Sequence, residues 1–123
     1  MRFEDLSIGI DIEDIARFEN ADDAFKKRIF TQSEIEYCSS KVFPAQHYAA
    51  RFCAKEALFK AISGFGERGI EFNKMEVYHE NGVPCFRFLN NLEKKYKVKL
   101  SLSHDKTKAI AYVIIFKSNE DKK

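Results

Sequence analysis

The sequence predicts an α+β fold in which a small antiparallel sheet packs on one long central helix. Three observations carry that expectation. Residues 51–63, Arg51-Phe52-Cys53-Ala54-Lys55-Glu56-Ala57-Leu58-Phe59-Lys60-Ala61-Ile62-Ser63, are rich in helix-favouring alanines and straight-chain residues, with no proline or internal glycine. Leu6, Ile8, Ile10 and Ile12 near the start, and Val98, Leu100 and Leu102 near the end, alternate with polar or small residues at strand period. Asn81-Gly82 stands between two apolar runs, the strongest short-range hairpin signal. With 123 residues the chain is expected to form a single domain, 1–123, long enough for a real core.

Composition narrows the function classes. An apolar fraction of 45% fits a globular protein and argues against disorder. The net charge of +2 gives no broad nucleic-acid footprint. Cys38, Cys53 and Cys85 are odd in number and widely spaced, so they read as free thiols of a reducing compartment, not as disulfides or a zinc site. The first residues are too polar for a signal peptide, and no apolar run approaches membrane-spanning length. A soluble cytoplasmic protein is expected, with neither membrane nor nucleic acid as partner.

In the strand expected over 6–12, one face is aliphatic. The other presents Ser7, the bare Gly9 and the carboxylate of Asp11. Gly9 leaves room for a ligand to reach the backbone; Asp11 is a ligand at a strand end, or Asp11 or Glu13 simply opens the next helix. A short helix over 13–20 follows. Residues 24–30 read as helix or turn, with a basic run Lys26-Lys27-Arg28 that is a solvated face or a docking patch for an acidic partner. Thr31-Gln32-Ser33-Glu34 has the spacing of a capping box and opens a helix through Ile35 and Cys38. Residues 41–46 are expected to connect into the central helix. On that helix Glu56 and Lys60 stand four apart on one face, with Phe52 and Phe59 at its flanks. A helix apolar on most sides is buried, so the pair is either an exposed ion pair or a functional carboxylate and ammonium.

Past the helix, Ser63-Gly64-Phe65-Gly66-Glu67-Arg68-Gly69 is glycine-rich. It reads as a C-cap in which Gly64 or Gly66 takes positive φ, and not as a P-loop, which precedes its helix. A hairpin is expected around Asn81-Gly82, with Pro84 at an edge or strand start. A short amphipathic helix is expected over 89–96, a half-buried strand over 98–103, a turn at His104-Asp105-Lys106-Thr107 and a buried strand over 109–116. His104 at that strand end is a candidate ligand contact or simply a turn residue. The polar tail, 118–123, is expected to fray.

Taken in order, Gly9-Ile10-Asp11-Ile12, Arg28-Ile29-Phe30-Thr31, the central run from Arg51 to Ala61, Asn81-Gly82-Val83-Pro84 and Leu102-Ser103-His104-Asp105 resemble the holo-acyl-carrier-protein synthase family, the short 4′-phosphopantetheinyl transferases. The likeness runs from about residue 8 to residue 116. It implies the 4′-phosphopantetheinyl transferase-like fold, coenzyme A as donor, a serine of apo acyl carrier protein as acceptor, 3′,5′-ADP as by-product and Mg2+ as cofactor. By position it implies Asp11 and Glu56 as metal carboxylates, with Glu56 and Lys60 in the catalytic role. Arg51, Lys60 and His104 would bind coenzyme A, with Gly64, Asn81, Gly82 and Pro84 lining the site. Arg17 and Phe25 would dock the carrier. The resemblance also implies a homotrimer with the site between subunits. Many relatives carry Gly-Thr-Gly after the central helix where this chain has Ser63-Gly64-Phe65-Gly66, so the loop departs from the family pattern at its expected phosphate contacts.

The residue types suit that chemistry. Magnesium is hard, keeps several waters and is held by one or two carboxylates plus phosphate oxygens. Phosphoryl transfer needs positioning and charge neutralisation, and a lysine serves as a point charge on phosphate. Deprotonation of the serine falls to Glu56 or to a water on the metal; a carboxylate already on the metal is the weaker base, which favours the water. Two other readings use the same residues. One is a magnesium-dependent nucleotide pyrophosphate hydrolase, betrayed by turnover without a carrier. The other is a non-catalytic carrier-binding module, betrayed by binding without turnover.

Overall fold

In the computed structural model, which describes residues 2–118, nine elements build an α+β fold. They are β1 (Leu6–Asp14), α1 (Asp23–Ile29), α2 (Gln32–Ser39), α3 (Pro44–Ser63), β2 (Met75–Glu80), β3 (Val83–Phe88), the single turn α4 (Leu92–Lys95), β4 (Tyr96–His104) and β5 (Lys108–Lys117). Short 3-10 turns stand at Phe3–Asp5, Ile15–Phe18 and Phe72–Lys74. One sheet is antiparallel in the order β1-β5-β4, and β2 and β3 form a separate hairpin. Beyond residue 118, the expected polar tail lies outside the described residues.

Helix α3 is the centre, as its composition requires. It begins at Pro44, where a missing N–H costs nothing, so the expected connection over 41–46 is already half helix. Ala54, Ala57, Leu58, Ala61 and Ile62 are fully buried, with Val113 and Ile115 of β5 and Met75 and Val77 of β2 in the same core. Small residues let helix and sheet approach closely. A Cβ added at Gly9 would lie 1.9 Å from the Ala57 carbonyl oxygen. Gly9 therefore admits the helix backbone and not a ligand, which corrects the sequence expectation. Gly9→Ala is expected to cost at least about 2 kcal/mol of stability, read from urea unfolding, because the clash is with backbone.

That approach also decides the orientation of β1. Ser7, Gly9, Asp11 and Glu13 face α3, and Ser7 Oγ donates to the Ala61 carbonyl at 2.7 Å. Ile8, Ile10 and Ile12 point outward and are more than half exposed. They pair across the ladder with Ile114, Tyr112 and Ile110, so the outer face of the sheet carries a continuous apolar stripe. The strand continues to Asp14, paired throughout with β5. Asp11 is thus mid-strand and caps no helix, and the helix expected over 13–20 shrinks to one 3-10 turn after the strand.

Local signals elsewhere hold. The capping box closes in both directions, Thr31 N donating to Glu34 Oε1 at 3.0 Å and Glu34 N to Thr31 Oγ1 at 3.3 Å. Asn81 and Gly82 take φ of 52° and 80°, the two left-handed residues of a two-residue hairpin turn. Gly66 takes φ of 83°, whereas Gly64 stays right-handed and is small because Ser7 Oγ would be 2.5 Å from its Cβ. Of the helix expected over 89–96 only α4 forms, since Tyr96 already pairs with Lys117 at the start of β4.

One buried cluster has no forerunner in the sequence reading. Lys55, on the far side of α3 from the solvent, donates to Glu34 Oε1 at 2.6 Å, to the Ile29 carbonyl at 2.7 Å and to the Phe72 carbonyl at 2.9 Å. Glu34 Oε2 accepts from the Val77 amide at 2.8 Å. A single ammonium and a single carboxylate thereby tie α1, α2, α3, β2 and the turn before it.

Candidate active site

The sheet face pressed on α3 brings three of the expected residues together. Lys60 Nζ donates to Asp11 Oδ1 at 3.1 Å and to the Ile10 carbonyl at 3.0 Å. Asp11 Oδ2 is buried without a hydrogen-bond partner among the described residues. The Asp11 carbonyl accepts from Cys53 Sγ at 2.9 Å, so α3 also grips the strand behind the carboxylate. Glu56 lies one turn before Lys60. Burial first, and then the charge of Asp11, raise its pKa, while Lys60 and Arg17 pull it back.

Glu13, which the sequence offers only as a helix cap, lies within β1 and joins this group. Its signal was present: two residues beyond Asp11 in a strand means the same face. Burial, followed by the proximity and charge of Asp11, pushes the Glu13 carboxyl up to about 7. Its Oε1 accepts from Arg17 Nη1 at 2.8 Å. Arg17 in turn lies over the Phe52 ring, 4.8 Å from its centroid, and Phe25 packs against Phe52 and Phe18. Arg17 and Phe25 therefore sit on the border of the carboxylate group.

The donor set fits a hard divalent cation. A buried carboxylate oxygen with no donor, Asp11 Oδ2, is an acceptor awaiting positive charge, and the neighbouring Glu13 and Glu56 carboxyls are pushed up first by burial and then by Asp11. No three His, Cys, Asp or Glu side chains among the described residues are arranged to hold an ion by themselves. Asp11 and Glu56 would supply two ligands and leave the other positions to water and phosphate. A pH consequence follows for the metal-free protein. A raised carboxyl pKa stabilises the fold fully below about 4.5, the ordinary Glu value, and that contribution disappears as pH rises through about 7. With a chelator present, the Tm of wild type relative to Glu13→Gln is expected to fall between pH 5 and 7.5 in a thermal scan; a constant difference would contradict the raised Glu13 pKa.

Arg51, His104 and the hairpin residues do not reach this group within the chain. Arg51 points about 140° round α3 from Glu56 and lies with His104 in a separate cleft of about 260 Å³. Pro84 is opposite His79 in the hairpin ladder, beside the same cleft, while Asn81 and Gly82 form the exposed turn. Gly64 ends α3 one turn past Lys60, against Ser7. The loop after it is anchored by Phe65, whose ring stacks on Tyr96 at 5.7 Å. A groove of about 490 Å³ between Phe18, Lys26, Phe43 and Tyr48 contains none of the acidic group.

Comparison with known proteins gives a consistent picture. Residues 7–113 match the family model of the 4′-phosphopantetheinyl transferase superfamily. A holo-[acyl-carrier-protein] synthase of Geobacter sp. (strain M21) is 44% identical over 118 residues, covering 87% of this chain and 94% of that protein. The fold matches the crystal structure of holo-[acyl-carrier-protein] synthase from Neisseria meningitidis with a TM-score of 0.79 at 32% identity, over 90% of this chain and 98% of that one. It matches the Bacillus anthracis holo-(acyl-carrier-protein) synthase, solved in complex with CoA (3′,5′-ADP), with a TM-score of 0.76 at 32% identity, over 91% of this chain and 96% of that one.

Proposed function

The chain belongs to the 4′-phosphopantetheinyl transferase superfamily, as one of its holo-acyl-carrier-protein synthases, and from that premise we propose a site-by-site account of its reaction. Coenzyme A is the donor and a serine of apo acyl carrier protein the acceptor. A bond forms between the serine oxygen and the β-phosphorus, the bond from that phosphorus to the bridging oxygen breaks, and 3′,5′-ADP leaves. The serine proton passes to a base.

The observation that carries this reading is the buried, partnerless Asp11 Oδ2 beside Glu56 and Lys60. Asp11 and Glu56 would hold magnesium, which when bound neutralises charge on the phosphates. Lys60 reaches past Asp11 with its side chain half exposed, so its ammonium can meet the charge that grows on the leaving phosphate. Glu56, engaged as a metal carboxylate, would be the weaker base, so the serine proton would fall to a water held in the acidic group. Arg51 and His104 would hold the nucleotide part of the donor.

The division of these residues between two places, together with the outward stripe of Ile8, Ile10, Ile12, Ile110 and Tyr112, supports a homotrimer whose sites are completed by neighbouring subunits. A cytoplasmic location accords with the free thiols, and no helix among the described residues is long and apolar enough to cross a membrane.

Intact-mass analysis of apo carrier incubated with the protein, coenzyme A and magnesium tests the reaction. A gain of one phosphopantetheine, lost when metal is omitted, is the expected result; an unmodified carrier with folded protein and intact donor would overturn it. Docking has its own test. Arg17→Gln removes the cation without placing a new carboxylate beside Glu13. The apparent KM for the carrier is expected to rise about 3–10-fold, with a weaker dependence on salt. An unchanged KM would place docking elsewhere.

A further inference from the structure

Arg17 belongs to two parts of the molecule. It stands in the 3-10 turn after β1, on the border that Phe25 and the basic run of α1 extend. Its guanidinium lies 5.6 Å from the Phe18 ring centroid and 4.8 Å from that of Phe52, and Phe25 packs on both rings. About half of the side chain is open to solvent. Yet Nη1 turns back to the acidic group and donates to Glu13 Oε1 at 2.8 Å. Glu13 is the opposite case. Its side chain is only 14% exposed, and it faces α3 beside Asp11.

Charge balance explains the pair. Asp11 acts on both Glu13 and Glu56, and Arg17 acts on both in the opposite sense. Lys60 is committed to Asp11 Oδ1 and the Ile10 carbonyl. Asp14, the next acid along β1, lies on the outward face and pairs with Lys108. Three carboxylates, when ionised, are thus met by two cations, and Arg17 has no other carboxylate partner among the described residues. A divalent cation held by Asp11 and Glu56 reverses the sign of that sum. Arg17 is then repelled by a group that had attracted it, and Glu13 has a stronger counter-charge than a guanidinium.

We propose that Glu13 is a positioning residue that holds Arg17 back from the carrier, and that a divalent cation on Asp11 and Glu56 frees Arg17, so that metal and carrier bind cooperatively. The inference rests on the reading of Arg17 as a docking residue and of Asp11 and Glu56 as metal carboxylates, and it adds Glu13 as the link between them. Once released, the guanidinium exchanges the Glu13 carboxylate for one on the acidic carrier. Reciprocity requires that docked carrier tighten the metal by the same factor as metal tightens the carrier.

Fluorescence anisotropy of labelled apo carrier, titrated with the protein in the absence of coenzyme A, measures this coupling. At about pH 8, with Glu13 ionised, and at constant ionic strength, saturating magnesium is expected to tighten wild-type binding about fivefold relative to chelator. Glu13→Gln without metal is expected to bind carrier about as tightly as wild type does with metal, and to gain less than about twofold from magnesium. Arg17→Gln is expected to bind weakly in both conditions, with the metal effect gone. Metal ions on the carrier itself act alike on all three proteins and cancel in the comparison. The full metal effect retained in either variant, or absent from wild type, would overturn the role of Glu13. A merely structural ion pair would change affinity equally with and without metal, which would overturn it too. Failure of magnesium to raise the wild-type Tm would instead overturn the metal reading. Failure of wild type to bind carrier in either condition would overturn the docking reading, and each of these two failures takes the inference with it.

Discussion

Replacing Glu56 by Gln is expected to lower phosphopantetheine transfer by roughly 10²-fold or more while the protein stays folded. The substitution is nearly isosteric and half-buried, so packing is undisturbed. It removes a charge that already repels Asp11, the second largest cause of the raised Glu56 pKa. In metal-free protein the variant should therefore melt at the same temperature as wild type or slightly higher. In magnesium it should gain less stability than wild type does, because one of the two expected ligands is gone. Loss of activity combined with unchanged or raised metal-free stability distinguishes a functional carboxylate from a structural one. A folded variant with full activity would remove Glu56 from the site.

Lys55→Met is expected to cost about 3–5 kcal/mol, because it leaves the Glu34 carboxylate buried beside an apolar side chain. For a chain of this size that is a fall in Tm of about 10 °C or more. The ammonium is wholly buried and makes three donations, two of them to backbone carbonyls at the end of α1 and in the turn before β2. Met matches the length of the stem but satisfies none of those acceptors. Pairing it with Glu34→Gln completes a double-mutant cycle, in which the double variant should be less destabilised than the sum of the singles. Strict additivity would mean that the two charges are not coupled, contrary to their 2.6 Å contact. The neighbours Lys55 and Glu56 thus have opposite expected roles: the first structural, the second catalytic in the proposed reaction. Their directions round α3 separate them.

Several of these features were legible before any coordinates. The Thr31–Glu34 capping box and the Asn81-Gly82 turn are local arrangements, closed within four residues by atoms of their own segment. The central helix declared itself by composition, and its near-complete burial follows from having apolar or small residues on most sides. The ordered resemblance from Asp11 to His104 supplied the candidate site residues as a set. What it could not say is that they divide into an acidic group and a cationic cleft on different faces of one subunit.

The orientation of β1 shows why. Alternation declares two faces but not which one is covered, and the ordinary rule would bury Ile8, Ile10 and Ile12. Here Gly9, with no Cβ, lets the Ala57 backbone come within reach, and Ser7 seals the contact through the Ala61 carbonyl. The polar face goes inward, Asp11 and Glu13 are carried against the helix that holds Glu56 and Lys60, and the isoleucines are left outside. The sequence by itself determined the elements, the turns, the caps and the residue types suited to phosphate chemistry, because each depends on neighbours along the chain. Tertiary structure alone decided which face of β1 meets α3, that Lys55 ties five segments and that Arg51 shares a cleft with His104, because those depend on contacts between segments tens of residues apart.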